Sequence, residues 1–260
     1  HIAFDFNNSY LMYAKKVAGS GCTSASWTCE QVHNQEVGGS VIRMVGSNPA
    51  IVDKPAGGWN LVYAVRDGGN TGCTSPDTAN WTCETISAAA PYWTNFAVNS
   101  GTPAVIHIET VSGSSKLIYA TRVGGGGGSG CPVGVDSDWS CEYVYTGGLD
   151  QNSNKSAFAY DSNGIAGTTF STSSSGGELV YATRTGGGSG TCTGGTQWNC
   201  SPIMKLHVSE PAIGNMNLVY NGTAPHIIYT DTSDSDLLYA TSNTKWYNDN
   251  IEGCQNGCSN

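Results

Sequence analysis

The sequence predicts an all-β fold, a five-bladed β-propeller with one local disulfide per blade, and three observations carry that prediction. A two-part pattern recurs along the 260 residues, with Gly-rich stretches (35 Gly in all) inside it. Ten cysteines fall into local pairs. No segment sustains the 3.6-residue apolar period of a helix, whereas short runs rich in Val, Ile, Tyr and Phe lie between Gly/Ser/Asn/Asp turns.

The first half of the pattern is an anchor: Leu11-Met12-Tyr13-Ala14, Leu61-Val62-Tyr63-Ala64, Leu117-Ile118-Tyr119-Ala120, Leu179-Val180-Tyr181-Ala182 and Leu237-Leu238-Tyr239-Ala240. Its tyrosines are spaced by 50, 56, 62 and 58 residues. A Gly-rich stretch and a Cys follow, then Trp-x-Cys: Trp27-Thr28-Cys29, Trp81-Thr82-Cys83, Trp139-Ser140-Cys141 and Trp198-Asn199-Cys200. The repeats run over 1–49, 50–103, 104–164, 165–224 and 225–260 of one domain. In the third, strands are expected at 104–109, 116–122, 139–145 and 156–161. Four strands per repeat suggest one propeller blade each, with a β-solenoid of shorter rungs as the alternative. The glycine runs at 19–21, 68–72, 124–130 and 186–190 then form hairpin loops. The first repeat opens at its first strand and the fifth runs out soon after Cys258. That predicts either a ring closed by a short blade or a piece of a longer polypeptide.

The cysteines pair most simply as Cys22/Cys29, Cys73/Cys83, Cys131/Cys141, Cys192/Cys200 and Cys254/Cys258, each pair stapling its own hairpin. Disulfide density predicts an extracellular protein, secreted or at the cell surface. Zinc is not expected, because no second close Cys or His pair completes a tetrahedral set. Asn7, Asn80, Asn154, Asn199 and Asn221 each open an Asn-x-Ser/Thr triplet, a possible glycan acceptor in a eukaryotic source.

Charge narrows the partners. Only 12% of residues are charged and the net charge is −9, which argues against nucleic acid and anionic lipid alike. No apolar run reaches the ~20 residues of a spanning helix, so no membrane insertion is expected.

One position past the anchor recurs as a base: Lys16, Arg66, Arg122 and Arg184, with Ser242 in the fifth repeat. Glu30, Glu84 and Glu142 follow Trp-x-Cys in the first three. Read functionally, each base, acid and tryptophan (Trp27, Trp81, Trp139, Trp198) forms a weak sugar site, an aromatic face against the pyranose and charged groups on its hydroxyls. Read structurally, base and acid form a cross-strand ion pair inside each hairpin, with the Trp packed between blades.

No catalytic residues, metal site or cofactor are expected. The chain has no Gly-x-Ser-x-Gly elbow and no Walker loop. Three of its four arginines occupy one repeat position, and the Asp-box turn is missing, which argues against sialidase chemistry. His1 sits at a repeat position, since His1-Ile2-Ala3-Phe4 aligns with His226-Ile227-Ile228-Tyr229, so a copper brace is not implied. His33, His107 and His207 lack ligand spacing. Asp150-Gln151-Asn152-Ser153-Asn154 lacks the Gly and Glu of a calcium loop.

Pro225-His226-Ile227-Ile228-Tyr229, followed by Leu237-Leu238-Tyr239-Ala240, resembles the repeats of secreted bacterial β-propellers and of some propeller lectins. The shared pattern is Pro-x-Ile-x-Tyr-x-Asp, Leu-x-Tyr-Ala, a Trp, and a strand such as Ala157-Phe158-Ala159-Tyr160-Asp161-Ser162-Asn163-Gly164. It covers the chain repeat by repeat, loosely in the second and fourth, and the Cys pairs depart from it. The resemblance implies a propeller and leaves function among lectins, adhesins, enzymes and scaffolds. Two non-catalytic functions are expected: a glycan-binding or adhesive module with repeated sites, or a structural subunit decorating an extracellular filament or coat. Partners are then glycans or neighbouring subunits.

Overall fold

The computed structural model describes residues 1–250 except 8, 18, 24, 35–36, 56–59, 75–78, 90, 133, 150–155, 173–177, 188–189, 206–212, 232–235 and 243–245. Its described residues form strands, turns and bends and no helix, arranged as five antiparallel sheets. The first holds β1 (Ile2–Phe6), β2 (Tyr10–Lys15) and β3 (Thr28–His33) in that order. The second holds β4 (Val37–Val45), β5 (Asn48–Pro55), β6 (Leu61–Arg66) and β7 (Trp81–Ser87). The third holds β8 (Trp93–Asn99), β9 (Thr102–Val111), β10 (Ser114–Arg122) and β11 (Trp139–Tyr145). The fourth holds β12 (Ala157–Tyr160), β13 (Ala166–Ser171), β14 (Glu178–Arg184) and β15 (Trp198–Lys205). The fifth holds β16 (Ile213–Asn221), β17 (Ala224–Asp231), β18 (Asp236–Ser242) and β19 (Trp246–Asn250). Sheets of three or four up-and-down strands are consistent with a propeller. By internal contacts the chain forms two compact units, His1–Val105 with Ala120–Cys141 and Ile106–Tyr119 with Glu142–Asn260.

The repeat and the sheet are out of phase by one strand. The run at 156–161, which closes the third sequence repeat, is β12 and opens the fourth sheet. A cyclic pattern has no natural starting point, whereas a sheet is bounded by its backbone hydrogen bonds.

The anchor is explained by burial on both sheet faces. Leu61 and Tyr63 face one way and Val62 and Ala64 the other, yet Leu61, Tyr63 and Ala64 are all within 1% of complete burial. Such strands read as nearly continuous apolar runs, as in β9, where seven successive residues are buried. Two of those are polar: His107 Nε2 lies 3.3 Å from Glu109 Oε2, both side chains fully buried.

Four disulfides close the β2–β3, β6–β7, β10–β11 and β14–β15 hairpins: Cys22–Cys29, Cys73–Cys83, Cys131–Cys141 and Cys192–Cys200. Cys254 and Cys258 lie outside the described residues. The Gly ahead of the first cysteine has a steric reason. At Gly72, φ is +75° and an added Cβ would stand 2.0 Å from the Cys83 carbonyl oxygen. The fourth hairpin has Thr191 there instead, and its hydroxyl accepts from the Cys200 N–H at 3.0 Å. Replacing Cys73 and Cys83 together by Ser is expected to cost roughly 2.5–3 kcal/mol, the loop-closure value for a ring of this size. Urea denaturation of oxidised wild type against the double variant measures it.

Candidate functional site

Register decides where the recurrent base, acid and tryptophan go. Within the second sheet Tyr63 lies opposite Glu84 and Arg66 opposite Trp81. Arg66 lies three positions after Tyr63, an odd step, so the two pairs project from opposite faces. An ion pair inside the hairpin, as the structural reading of the sequence expects, is therefore geometrically closed to Arg66 and Glu84. The acid comes from the preceding sheet instead. Arg66 donates Nε at 2.9 Å and Nη2 at 2.8 Å to Glu30, a two-pronged fork. Arg122 holds Glu84 in the same way (2.8 and 2.6 Å), and Arg184 holds Glu142 (2.9 and 2.6 Å).

The tryptophans complete each arrangement. The indole N–H groups of Trp81, Trp139 and Trp198 donate to Glu30, Glu84 and Glu142 at 3.1, 2.9 and 3.2 Å. Their rings meet the anchor tyrosines of the preceding sheet edge to face: Tyr13–Trp81, Tyr63–Trp139 and Tyr119–Trp198, with centroids 5.3, 5.4 and 5.3 Å apart. Arg122 and Arg184 lie over Tyr63 and Tyr119. One Tyr and one Glu from a sheet thus grip one Arg and one Trp of the next, three times over.

This clamp leaves little for a ligand. Trp81, Trp139 and Trp198 are 0%, 1% and 0% exposed, so none offers an open ring face to a sugar. Trp27 is half-buried and precedes β3, and Lys16 is exposed just beyond β2. The arginines keep about a third of their surface in solvent. Burial alone would push the Glu30 carboxyl up, but hydrogen bonds from Arg66 and Trp81 outweigh it and hold the group below the usual carboxylate range.

Sequence reasoning missed the fifth tryptophan of the series. Trp246 lies opposite Ser242, as Trp81 lies opposite Arg66, but it lacks the Cys two residues on that marks the others. Ser201 lies opposite Tyr181, the acid position of the fourth sheet, and Ser242 holds the base position of the fifth. Both halves of that one pair are replaced together.

A different feature is open to solvent. Between the first and second sheets, within the first unit, lies a pocket of about 200 Å³ lined by His33, Asn60, Val62, Thr74, Thr85 and the Cys73–Cys83 disulfide. It uses the face of the second sheet opposite to Tyr63 and Glu84, since Val62 pairs with Thr85. His33 Nε2 lies 3.0 Å from Asp53 Oδ2, both side chains almost fully buried. Burial raises the Asp53 carboxyl above its ordinary value, and the His33 contact only partly counters this. These residues occur once in the chain, so no repeat pattern marked them. Among the described residues no group of three or more His, Cys, Asp or Glu is placed to hold a metal ion.

Buried phenols give a pH signature. Burial raises Tyr13, Tyr63, Tyr160, Tyr181 and Tyr220 above the ~10 of a free tyrosine. The folded chain then keeps protons that the unfolded chain releases, so this stability is complete below pH ~10 and lost as pH rises beyond it. Alkaline titration is expected to show a late, cooperative rise in tyrosinate absorbance coinciding with loss of circular dichroism. Early titration of all thirteen tyrosines with the fold intact would contradict it.

No family model matches the chain, and no curated protein matches it. Among solved structures it is similar to the crystal structure of AofleA from Arthrobotrys oligospora, at 11% identity and a TM-score of 0.53, over 96% of this chain and 67% of that one. That likeness concerns the fold. An exo-1,5-alpha-L-arabinanase from a bovine ruminal metagenomic library aligns over 81% of this chain and 71% of its own, at 14% identity and a TM-score of 0.39. No helix among the described residues is long and apolar enough to cross a membrane.

Proposed function

We propose that the protein is an extracellular, non-catalytic β-propeller of five blades that binds glycans, with its first-choice site in the pocket between the first and second sheets. The observation that carries this reading is the lining: an amide (Asn60), two hydroxyls (Thr74, Thr85) and an imidazole (His33) around the apolar Val62 and a disulfide. Hydrogen-bonding side chains beside an apolar wall suit a sugar ring, whose hydroxyls need partners and whose C–H face does not. At about 200 Å³ the pocket falls below the ~300–1,000 Å³ of drug-sized ligand sites, which favours one terminal residue over a long oligosaccharide. Four closed disulfides support an oxidising, extracellular setting. The test is a broad glycan array on the oxidised chain. Asn60→Ala and Thr85→Val are each expected to weaken a defined hit by about tenfold, the value of one hydrogen bond. Hits unchanged in both variants would remove the pocket as the site.

A second reading, a structural subunit of an extracellular assembly, is favoured by one specific observation. The recurrent Trp, Arg and Glu are spent on one another between sheets, as in a scaffold. A clean negative array from correctly oxidised protein supports that reading over the first.

A further inference from the structure

We propose that Lys54, Tyr92 and Trp93 form a second binding site, apart from the pocket, for a pyranose that carries an anionic group, either a carboxylate or a sulfate ester. The site lies between the second and third sheets, within the first unit. Lys54 stands next to the end of β5, Tyr92 immediately precedes β8, and the lysine Nζ donates to the Tyr92 carbonyl at 3.1 Å.

Register puts Lys54 on the face of the second sheet away from the pocket. Val52 lies opposite Tyr63, and Lys54, two residues on, shares that face. Asp53 turns to the other face, where it meets His33. The cross-strand neighbour of Lys54 is Gly39, beside a register shift in β4, and a Cβ added at Gly39 would meet nothing within 4 Å. One flank of the lysine is therefore open. The corresponding places in the fourth and fifth sheets are uncharged. Ile51, Thr168 and Ile227 each lie opposite an anchor alanine, and three residues after them come Lys54, Ser171 and Thr230.

Lys54 holds no acid of its own among the described residues. Arg66, Arg122 and Arg184 each grip a glutamate, whereas the one recorded bond of Lys54 goes to a neutral carbonyl. An ammonium has three N–H donors, so two remain without a partner among the described residues. Burial lowers its pKa and no carboxylate counters this, in a chain with 20 Asp and Glu. A half-buried cation with unfilled donors gains most from an anion, because charge-assisted bonds strengthen where water is thinned out.

The aromatic half of the site is exposed. Trp93 and Tyr92 are 37% and 38% exposed, whereas Trp81, Trp139 and Trp198 are buried and Trp27 is half-buried. Trp93 stands outside the Trp-x-Cys series, since Asn95 follows it two residues on. Its neighbour Thr94 shares a strand face with Phe96, which meets Tyr63, so Thr94 turns toward the face that carries Lys54. The Thr94 hydroxyl is buried with no hydrogen-bond partner among the described residues. Exposed rings suit the C–H face of a pyranose, the ammonium suits its anionic group, and the hydroxyl can take a ring oxygen or hydroxyl.

The test is an NMR titration of the full oxidised chain with galacturonate, galacturonate methyl ester and galactose 6-sulfate. The two anions distinguish carboxylate from sulfate, and the ester keeps the ring while removing the charge. At least one anion is expected to bind about tenfold or more tighter than the ester, the value of one bond to a charged group. Lys54→Gln is expected to erase that difference, and Trp93→Ala to weaken anion and ester alike, both with a wild-type circular dichroism spectrum. Acetylation of the wild-type chain, read by mass spectrometry, needs no variant and is expected to slow at Lys54 when the tighter anion is present. Equal binding of ester and anions, undiminished anion binding by Lys54→Gln, or unslowed acetylation of Lys54 would overturn the proposal. Anion binding that disappears in Asn60→Ala would overturn it by placing the sugar in the pocket. Binding of none of the three probes would strike this site and leave the pocket to its glycan array.

Discussion

Trp81→Ala is expected to destabilise the protein by about 3–5 kcal/mol, the range for deleting a buried tryptophan. Three contributions point the same way. The indole is 0% exposed, so its removal leaves a cavity where Leu11, Tyr13, Val32 and Ile51 now pack. The edge-to-face contact with Tyr13 at 5.3 Å is lost with it. Glu30 loses the N–H that helps keep it ionised, although Arg66 remains. In a chain of this size the change corresponds to a fall in melting temperature on the order of 10 °C. Trp27→Ala serves as the internal comparison, because Trp27 is half-buried at the same repeat position and its loss is expected to cost clearly less. The decisive readout is stability set beside glycan retention. A Trp81 variant that melts like wild type and loses a glycan would make the indole a sugar platform and would sink the clamp.

The elements that were legible in the sequence are those fixed by local chemistry. In the third repeat, strands expected at 104–109, 116–122 and 139–145 appear as Thr102–Val111, Ser114–Arg122 and Trp139–Tyr145, because β-branched and aromatic runs between glycine turns have few other options. The four described disulfides were legible for the same reason, since each joins cysteines no more than ten residues apart. What the sequence did not reveal is partnership across sheets. Arg66 sits 15 residues from Trp81 and 36 from its actual partner Glu30, and only the register that turns Glu84 to the other face excludes the nearer acid. Ser201 and Ser242 are the two halves of one missing pair, which only their places in the sheets show. The pocket was invisible for a different reason. His33, Asn60 and Thr74 carry no repeat signal, and His33 meets Asp53 across strands of different sheets, 20 residues apart in the sequence.

Glu84→Ala is expected to cost about 2–4 kcal/mol, more than the same change at Glu30 or Glu142. Two kinds of donor depend on Glu84, and they respond differently to its loss. Arg122 is a third exposed, so its guanidinium finds water, and most of that bond's value is recovered. Trp139 is 1% exposed, so its N–H is left without an acceptor in a dry site, which is the expensive part. The acceptors differ in burial as well: the side chains of Glu84, Glu30 and Glu142 are 8%, 16% and 29% exposed. Because charge-assisted bonds weaken as water screens them, the destabilisation should fall in that order. Thermal melts of the three single variants test the ranking. The chain's own fourth-to-fifth step, Ser201 with Ser242, indicates how the loss is contained, since no ion is left behind when both partners change. Glu84→Ser combined with Arg122→Ser is therefore expected to be less destabilising than the sum of the two single changes, with a coupling of about 1 kcal/mol or more. Strict additivity, together with equal losses at all three glutamates, would mean that these carboxylates are solvated neighbours of the tryptophans and hold nothing together.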